Sequence, residues 1–268
     1  MRKIAFTKMH GTGNDFILVK QKSKKNRRLL TRGRVCALCD RHTGIGADGL
    51  IVLAPTRQRG RYDFTIYNAD GSSAETCVNG LRCAALLVAK EKKEAVFVTL
   101  AGPVATRVLQ LKGKKATVQV DLGVPEYRAA TLAPLGKGKD KMPMVAIDVG
   151  NPHIVVFVKD FDLDWPQAAV AAQHQAGLPR GANVEFVRVI GRRKIELRIF
   201  ERGVGPTLSS GSGSIAAFFA AMREDLVDNV VDVLMPGGRL RIKYDPQADR
   251  VLLSGPAAEV FSGEIRVE

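Results

Sequence analysis

Two short stretches place a thiol and a hydroxyl ahead of apolar helices, and they read as versions of one another. The first is Thr76-Cys77-Val78-Asn79-Gly80 running into Leu81-Arg82-Cys83-Ala84-Ala85-Leu86-Leu87-Val88. The second is Ser209-Ser210-Gly211-Ser212-Gly213 running into Ser214-Ile215-Ala216-Ala217-Phe218-Phe219. Each is a polar, glycine-containing turn that opens a helix apolar on nearly every face, the pattern of a helix buried inside a sheet. The first turn of a helix leaves backbone N–H groups without intrahelical partners and carries the positive end of the helix dipole. Two such termini facing one another would cradle a carboxylate, with Cys77 opening one helix and Ser210 the other.

Further polar clusters lie beside Gly or Pro at expected strand ends, where side chains converge. They are His10-Gly11-Thr12-Gly13-Asn14-Asp15-Phe16, Asn68-Ala69-Asp70-Gly71-Ser72, Gly150-Asn151-Pro152-His153, Gly181-Ala182-Asn183 and Glu201-Arg202-Gly203-Val204-Gly205. Any one of them is explained by turn chemistry, because Asn and Asp bond their own backbone in tight turns. Four recurring Asn positions with a Glu-Arg pair ask for more than turns.

The elements that must position these residues are mostly strands. Alternating or β-branched runs cover Lys3–Lys8, Phe16–Lys20, Leu50–Ala54, Tyr62–Tyr67, Val96–Leu100, Val104–Leu109 and Ala116–Val120 in the first half. The second half has Met144–Val149, Ile154–Val158, Val184–Ile190, Ile195–Phe200, Val230–Leu234, Leu240–Tyr244, Val251–Ser254 and Ala258–Phe261. Helical patterns occur near Leu30–Arg41, Asn79–Lys92, Trp165–Ala176 and Ser212–Glu224. Both halves therefore read as strands, an outer helix, strands, a buried helix and hairpins, an α+β duplication. The stretch from Gly123 to Lys139 has turn formers and little periodicity and reads as the link between lobes.

With 268 residues the chain can bury a large core in one or two lobes. Its net charge of +14 raises nucleic acid as a partner. The densest basic run, Lys20 to Arg28, is short, holds no aromatic residue and falls where a loop belongs, so nucleic acid is set aside. No apolar stretch is long enough to span a bilayer, and four cysteines without a hydrophobic leader read as reduced thiols in the cytoplasm. Cys36 and Cys39 form a C-x-x-C without a second pair, and His10, His42, His153 and His174 are dispersed, so no metal is expected. Gly44-Ile45-Gly46-Ala47-Asp48-Gly49 fits a dinucleotide spacing, but a helix precedes it and a strand follows, the reverse of what that motif needs.

The ordered motifs Lys8-Met9-His10-Gly11, Gly13-Asn14-Asp15-Phe16, Asn68-Ala69-Asp70-Gly71-Ser72, Gly150-Asn151-Pro152-His153, Phe200-Glu201-Arg202-Gly203 and Pro236-Gly237-Gly238-Arg239-Leu240 resemble those of the diaminopimelate epimerases, cofactor-independent amino-acid racemases. The resemblance covers essentially the whole chain. It implies two pseudo-symmetric lobes, each a largely antiparallel sheet wrapped round a central buried helix, with the active site in the cleft between them. The lobes would be residues 1–122, completed by the last strand at about 259–268, and 123–258. It also implies no cofactor, no metal, a small amino-acid substrate, no membrane partner and room for a homodimer.

In that family two thiols face opposite sides of the substrate α-carbon, one removing a proton and the other delivering one. Carried over by position, Cys77 matches the first thiol and Ser210 stands where the second belongs. Glu201 and His153 match groups held close to the reacting centre. Asn14, Asn68, Asn151, Asn183 and Arg202 match side chains that hold the substrate's amino and carboxylate groups, while Val78, Asn79, Gly211 and Ser212 match helix-terminus contacts. The chain departs in three places: Ser210 replaces Cys, Val78 replaces the usual Gly, and Gly49 stands where some members carry a substrate-touching Gln. A serine hydroxyl is a far weaker acid than a thiol, which titrates near about 8.5. Ser210 leaves several readings open at this point: an acid acting through a neighbour or water, an introduced substitution, lost activity, or one-base chemistry. The rival functions are racemisation or dehydration of another amino acid, and a silent amino-acid-binding protein.

Overall fold

The computed structural model describes residues 2–21, 30–123, 128–136, 138, 141–175 and 181–267. The chain separates into two compact units, Met1–Asp121 with Ser254–Glu268 and Leu122–Leu253. The architecture is mixed α/β, with four helices among the described residues.

The first unit begins with a hairpin of β1 (Arg2–Gly11) and β2 (Asn14–Lys20), in which Gly11 faces Asn14 across a two-residue turn. Both turn residues, Thr12 and Gly13, have positive φ, 54° and 87°, the pairing whose twist matches the strands. Helix α1 (Arg32–Cys39) carries the chain across to β3 (Gly49–Pro55), which lies parallel to β2 and antiparallel to β4 (Arg61–Asn68). After the short β5 (Ser73–Ala74), helix α2 (Val78–Val88) crosses to β6 (Glu94–Thr99), parallel to β4. Strands β7 (Gly102–Lys112) and β8 (Lys115–Asp121) follow as antiparallel neighbours. The final strand β17 (Arg250–Val267) pairs with both β8 and β1. That last pairing closes eight strands into a barrel without an open edge. Helix α2 is buried at Asn79 through Leu86 and at Val88, and packs against β1, β2, β6, β7 and β8.

The second unit runs through the same succession of pairings. Strands β9 (Arg128–Leu135), β10 (Met142–Asp148) and β11 (Pro152–Val158) are antiparallel neighbours. Helix α3 (Trp165–Gln175) leads to β12 (Asn183–Gly191), parallel to β11, and β13 (Lys194–Glu201) returns antiparallel to it. The short β14 (Gly205–Thr207) precedes helix α4 (Gly211–Arg223), which crosses to β15 (Val230–Met235), parallel to β13. Strand β16 (Gly238–Asp245) completes a hairpin with β15. Like α2, α4 is buried along almost its whole length. A helix with no watered face takes its stability from packing, which explains a sequence of Ala, Phe and Ile in place of an amphipathic stripe.

Four sequence expectations need correction. The stretch read as a link contains β9, whose alternation is weakened by Ala and Pro; Val124–Tyr127 and part of its far end lie outside the described residues. The runs at Val251 and Ala258 are one strand, because the Gly255-Pro256 pair continues extended and the Pro256 carbonyl accepts from the Arg82 Nε–H at 3.1 Å. Helix α2 ends at Val88, with Glu91 and Lys92 turned back onto the Val88 carbonyl. The short strands β5 and β14 carry too few residues to show a period. The basic run after Lys20 lies outside the described residues.

The glycine spacing at 44–49 is a helix stop. The N–H of Gly44 bonds the Asp40 carbonyl, Ile45 and Gly46 bond Leu38, and Ala47 bonds Cys39, so the loop caps the open carbonyls of α1. A Cβ on Gly44 would come within 2.1 Å of the Ala37 carbonyl oxygen. Cys39 faces the core beside Val35 and Leu38, and burial pushes its thiol up to about 11. No described helix is long and apolar enough to cross a membrane.

An ionic knot ties the hairpin to this loop. Lys8 Nζ lies 2.6 Å from Asp15 Oδ2 and also donates to the Gly46 carbonyl. Arg41 bonds both Asp15 oxygens, at 3.1 and 2.8 Å, and reaches Asp48 Oδ1 at 2.7 Å. The Asp48 N–H donates to Asp15 Oδ1 at 3.1 Å. Burial alone would raise the Asp15 carboxyl; the bonds from Arg41, Lys8 and Asp48 outweigh it and hold the group well below the usual carboxylate range.

Two outcomes follow. Gly44→Ala drives a methyl into three carbonyls and is expected to cost about 2 kcal/mol or more, read as a lower urea midpoint. For Asp15 the folded value lies below the unfolded value of about 3.9. Its contribution is therefore complete above that pH and declines as the pH falls through it. Asp15→Asn should lose about 3 kcal/mol at neutral pH, because Lys8 is left buried without its partner, and should flatten the fall of the midpoint below about pH 4. An unchanged acid limb in the variant would refute this assignment.

Candidate active site

In the first unit the candidate residues gather at the start of α2. Cys77 is the N-cap residue, extended at φ −152° and ψ 112°, and its Sγ accepts the N–H of Gly80 at 3.4 Å. A cap residue normally offers oxygen here; sulfur in its place sits where first-turn amides favour negative charge. Val78 is the first helical residue and half-buried, and Asn79 is buried behind it. Asn79 Nδ2 donates to Asn14 Oδ1 at 3.2 Å, and Asn14 Nδ2 donates to Asp48 Oδ2 at 2.8 Å. The chain of amides thus runs from the helix start to the β1–β2 turn and on to the loop before β3.

Gly49 follows in that loop and faces Asn68 across the β3–β4 ladder. A Cβ at Gly49 would lie 2.6 Å from the Tyr67 carbonyl oxygen, so the close strand approach accounts for the glycine. Asn68 is exposed, and its side chain donates to Ser72 Oγ at 2.9 Å while its N–H bonds the Ser72 carbonyl at 2.8 Å. Turn chemistry is therefore present at Asn68, with the amide standing at the surface.

In the second unit Ser210 is the N-cap of α4, extended at φ −135° and ψ 128°, and 6 % exposed. Its Oγ accepts the Gly213 N–H at 3.1 Å and lies 3.4 Å from Ser212 Oγ. The Ser210 and Cys77 backbones therefore make the same kind of cap with different atoms. Gly211 and Ser212 supply the amides of the first turn. His153 is fully buried on β11, with Nε2 3.1 Å from Asn151 Oδ1 and Nδ1 2.8 Å from Glu185 Oε1. Asn183 opens β12 beside His153 in register and accepts the Arg202 N–H at 2.9 Å. Arg202 is exposed and its Nη1 donates to the Gly181 carbonyl at 3.2 Å. Glu201 closes β13 opposite Gly205, in the tight turn that leads to α4.

Two buried charged residues were missed by the sequence reading. Glu185 is fully buried, its Oε2 has no hydrogen-bond partner among the described residues, and its Oε1 lies 2.4 Å from where a Cβ on Gly213 would be. That same point is 3.1 Å from the Ser210 Cβ, so the carboxylate abuts the first turn of α4. Arg82, fully buried, bonds Asn79 and Thr12 in the first unit. The signal for both was in the sequence: a lone charge inside an apolar helix, and a Glu in the run Val184-Glu185-Phe186-Val187.

Chemically, each unit offers a proton-bearing atom at a helix start, the amides of the helix's first turn, and amide side chains around it. That set suits an acid whose charge develops on a carboxylate.

Comparison with known proteins bears on which reaction this is. The sequence profile of the family described as Diaminopimelate epimerase matches residues 6–128 and 145–260. A protein named diaminopimelate epimerase from Synechocystis sp. is 36 % identical over 282 residues, covering 98 % of this chain and 99 % of the relative. Among solved structures, a Bacillus anthracis phenazine biosynthesis protein of the PhzF family aligns over 100 % of both chains with a TM-score of 0.72 at 13 % identity. A probable proline racemase from Agrobacterium radiobacter, solved with bound carbonate, aligns over 99 % of this chain and 93 % of its own with a TM-score of 0.69 at 14 % identity. At those identities the two structures speak for the fold, while the profile and the Synechocystis relative speak for descent: this chain belongs to the diaminopimelate epimerase family.

Proposed function

We propose that this protein is an amino-acid epimerase of the diaminopimelate type, interconverting LL- and meso-diaminopimelate without a cofactor. On this reading the two units are pseudo-symmetric lobes of a duplicated design, each built round its buried helix, and both helix starts serve one substrate. The repeated succession of strand pairings supports the duplication. The observation that carries the reaction is the matched pair of N-caps, Cys77 Sγ on the Gly80 amide and Ser210 Oγ on the Gly213 amide.

In the forward step the Cys77 thiolate takes the α-proton and becomes a thiol. The electron pair left on carbon spreads into the substrate carboxylate, which the first-turn amides of Val78, Asn79, Gly211 and Ser212 hold by hydrogen bonds. A proton then reaches the opposite face from the Ser210 side. Ser210 is the weaker acid, so removal and return of the proton by Cys77 outruns inversion. Asn14, Asn68, Asn151, Asn183 and Arg202 hold the remaining amino and carboxylate groups, Arg202 through its two-pronged fork. Glu201 and His153 orient the amino group and serve the second proton donor. Such a substrate is a small cytoplasmic metabolite, and neither nucleic acid nor membrane has a part in the reaction.

Incubation with LL-diaminopimelate in deuterated water tests this directly. Deuterium should enter the α-position faster than meso product forms. Cys77→Ala should abolish both, and Ser210→Cys should raise inversion by about 100-fold or more. Binding without either exchange or inversion would instead support a silent binding protein, the reading that Ser210 and Val78 favour. Exchange that never inverts would support one-base chemistry.

A further inference from the structure

Arg82 is the single charged residue of α2, and it is 0 % exposed. Side chains on a helix lean toward its N-terminus, and this one lies back over the first turn. Nη2 donates to Asn79 Oδ1 at 2.8 Å and to Thr12 Oγ1 at 3.1 Å, Nη1 is 3.5 Å from the Val78 carbonyl, and Nε donates to the Pro256 carbonyl. All four acceptors are neutral. Among the described residues no carboxylate pairs with this guanidinium, an unusual state for a buried charge.

A cation at a helix N-terminus adds to the dipole where an anion would normally compensate it. Two thiols stand on the same helix and its cap, Cys83 directly after Arg82 and Cys77 at the N-cap. Cys83 is fully buried, and burial pushes it up to about 12, so it stays protonated. Cys77 is half-buried at the cap, one residue before Val78 and two before Asn79, which the guanidinium contacts. The Arg82 charge itself survives burial, being pushed down only to about 10.

The other ionisable groups on elements packed against α2 do not supply this field. Lys8 on β1 is bound to Asp15 on β2. His10 on β1 accepts the Gly13 N–H through Nδ1 at 3.3 Å. Glu94 on β6 and Arg107 on β7 pair with each other at exposed positions. Lys115 and Asp121 stand at the two ends of β8.

We propose that Arg82 is a positioning residue whose buried positive charge holds Cys77 as a thiolate. It also fixes the β1–β2 turn, where Thr12 keeps a positive φ that a β-branched residue rarely adopts, and so sets Asn14 against Asn79. Helix α4 lacks the counterpart: the residue five after Ser210 is Ile215, and a buried carboxylate, Glu185, abuts that turn. The two helix starts are electrically unlike, with Cys77 the resting base. This deepens the epimerase reading and rests on it for its purpose, while its test needs no substrate.

The test is iodoacetamide alkylation of the full chain across pH, resolved by cysteine-containing peptide, with Cys36 as internal reference. Cys77 should react with a half-maximal pH well below the ordinary thiol value of about 8.5. In Arg82→Met, with its fold checked by circular dichroism, that midpoint should rise by about one unit or more, and alkylation at neutral pH should slow about tenfold. Cys36 should not change. Arg82→Lys, which keeps the charge, should restore most of the low midpoint. A folded Arg82→Met with an unmoved midpoint overturns the proposal, as does Arg82→Lys shifting as far as Arg82→Met. If Arg82→Met does not fold, the parent decides: a Cys77 midpoint at or above the ordinary thiol value overturns it. Loss of deuterium exchange with a low Cys77 midpoint would count against the epimerase reading alone.

Discussion

A helix buried along almost its whole length has few partners for its first-turn amides, and that constraint shapes each half of this molecule. The unpaired amides of α2 and α4 must be met by a cap and by whatever enters in front of them. Cys77 and Ser210 each satisfy one amide, at Gly80 and Gly213. Glycine at the third helical position serves this arrangement in both helices. At Gly80 a Cβ would come within 2.7 Å of Ile51 Cδ1, and at Gly213 within 2.4 Å of Glu185 Oε1. The close approach that buries the helices also brings the caps down onto the sheets, where the Asn, His and Glu side chains of the strand ends are.

Much of this was legible because buried helices and half-buried strands write different periods into sequence. Four helices and most strands could be read from apolar spacing, and the two caps from Ser or Cys ahead of a glycine-containing apolar run. Elements whose neighbours suppress the pattern were harder. Strand β9 sits in Ala-rich sequence, and the Gly255-Pro256 pair looks like a break although β17 runs through it. Contacts between segments distant in sequence were not legible at all. Nothing local says that Asp15 joins Lys8, Arg41 and Asp48, or that Pro256 receives Arg82.

The buried charges make the sharpest contrast between pattern and chemistry. Within an apolar run an Arg or Glu interrupts the pattern that marks a helix or strand, yet here the exceptions stand at the two helix starts. Arg82 is met only by neutral acceptors, and Glu185 bonds His153 through one oxygen while the other has no described partner. Keeping ionisable groups dry costs stability, and proteins that do so at helix starts gain a fixed field in return. One helix start holds a buried guanidinium, and the other abuts a buried glutamate bonded to a histidine.

That difference bears on why one end can carry serine. In a symmetrical exchange both groups must be able to act as base, and a hydroxyl without help cannot do so near neutral pH. If Cys77 is held as the base by a nearby cation, the direction in which it removes the proton asks the other end only to donate, while the reverse direction still asks that end to accept. Glu185 is hydrogen-bonded to His153 and abuts the turn that Ser210 caps. Replacing sulfur by oxygen would be most damaging at the Arg82 end, where the proposed role is that of an anion and a hydroxyl cannot fill it near neutral pH. The sequence has the thiol at the Arg82 end and the hydroxyl at the Glu185 end.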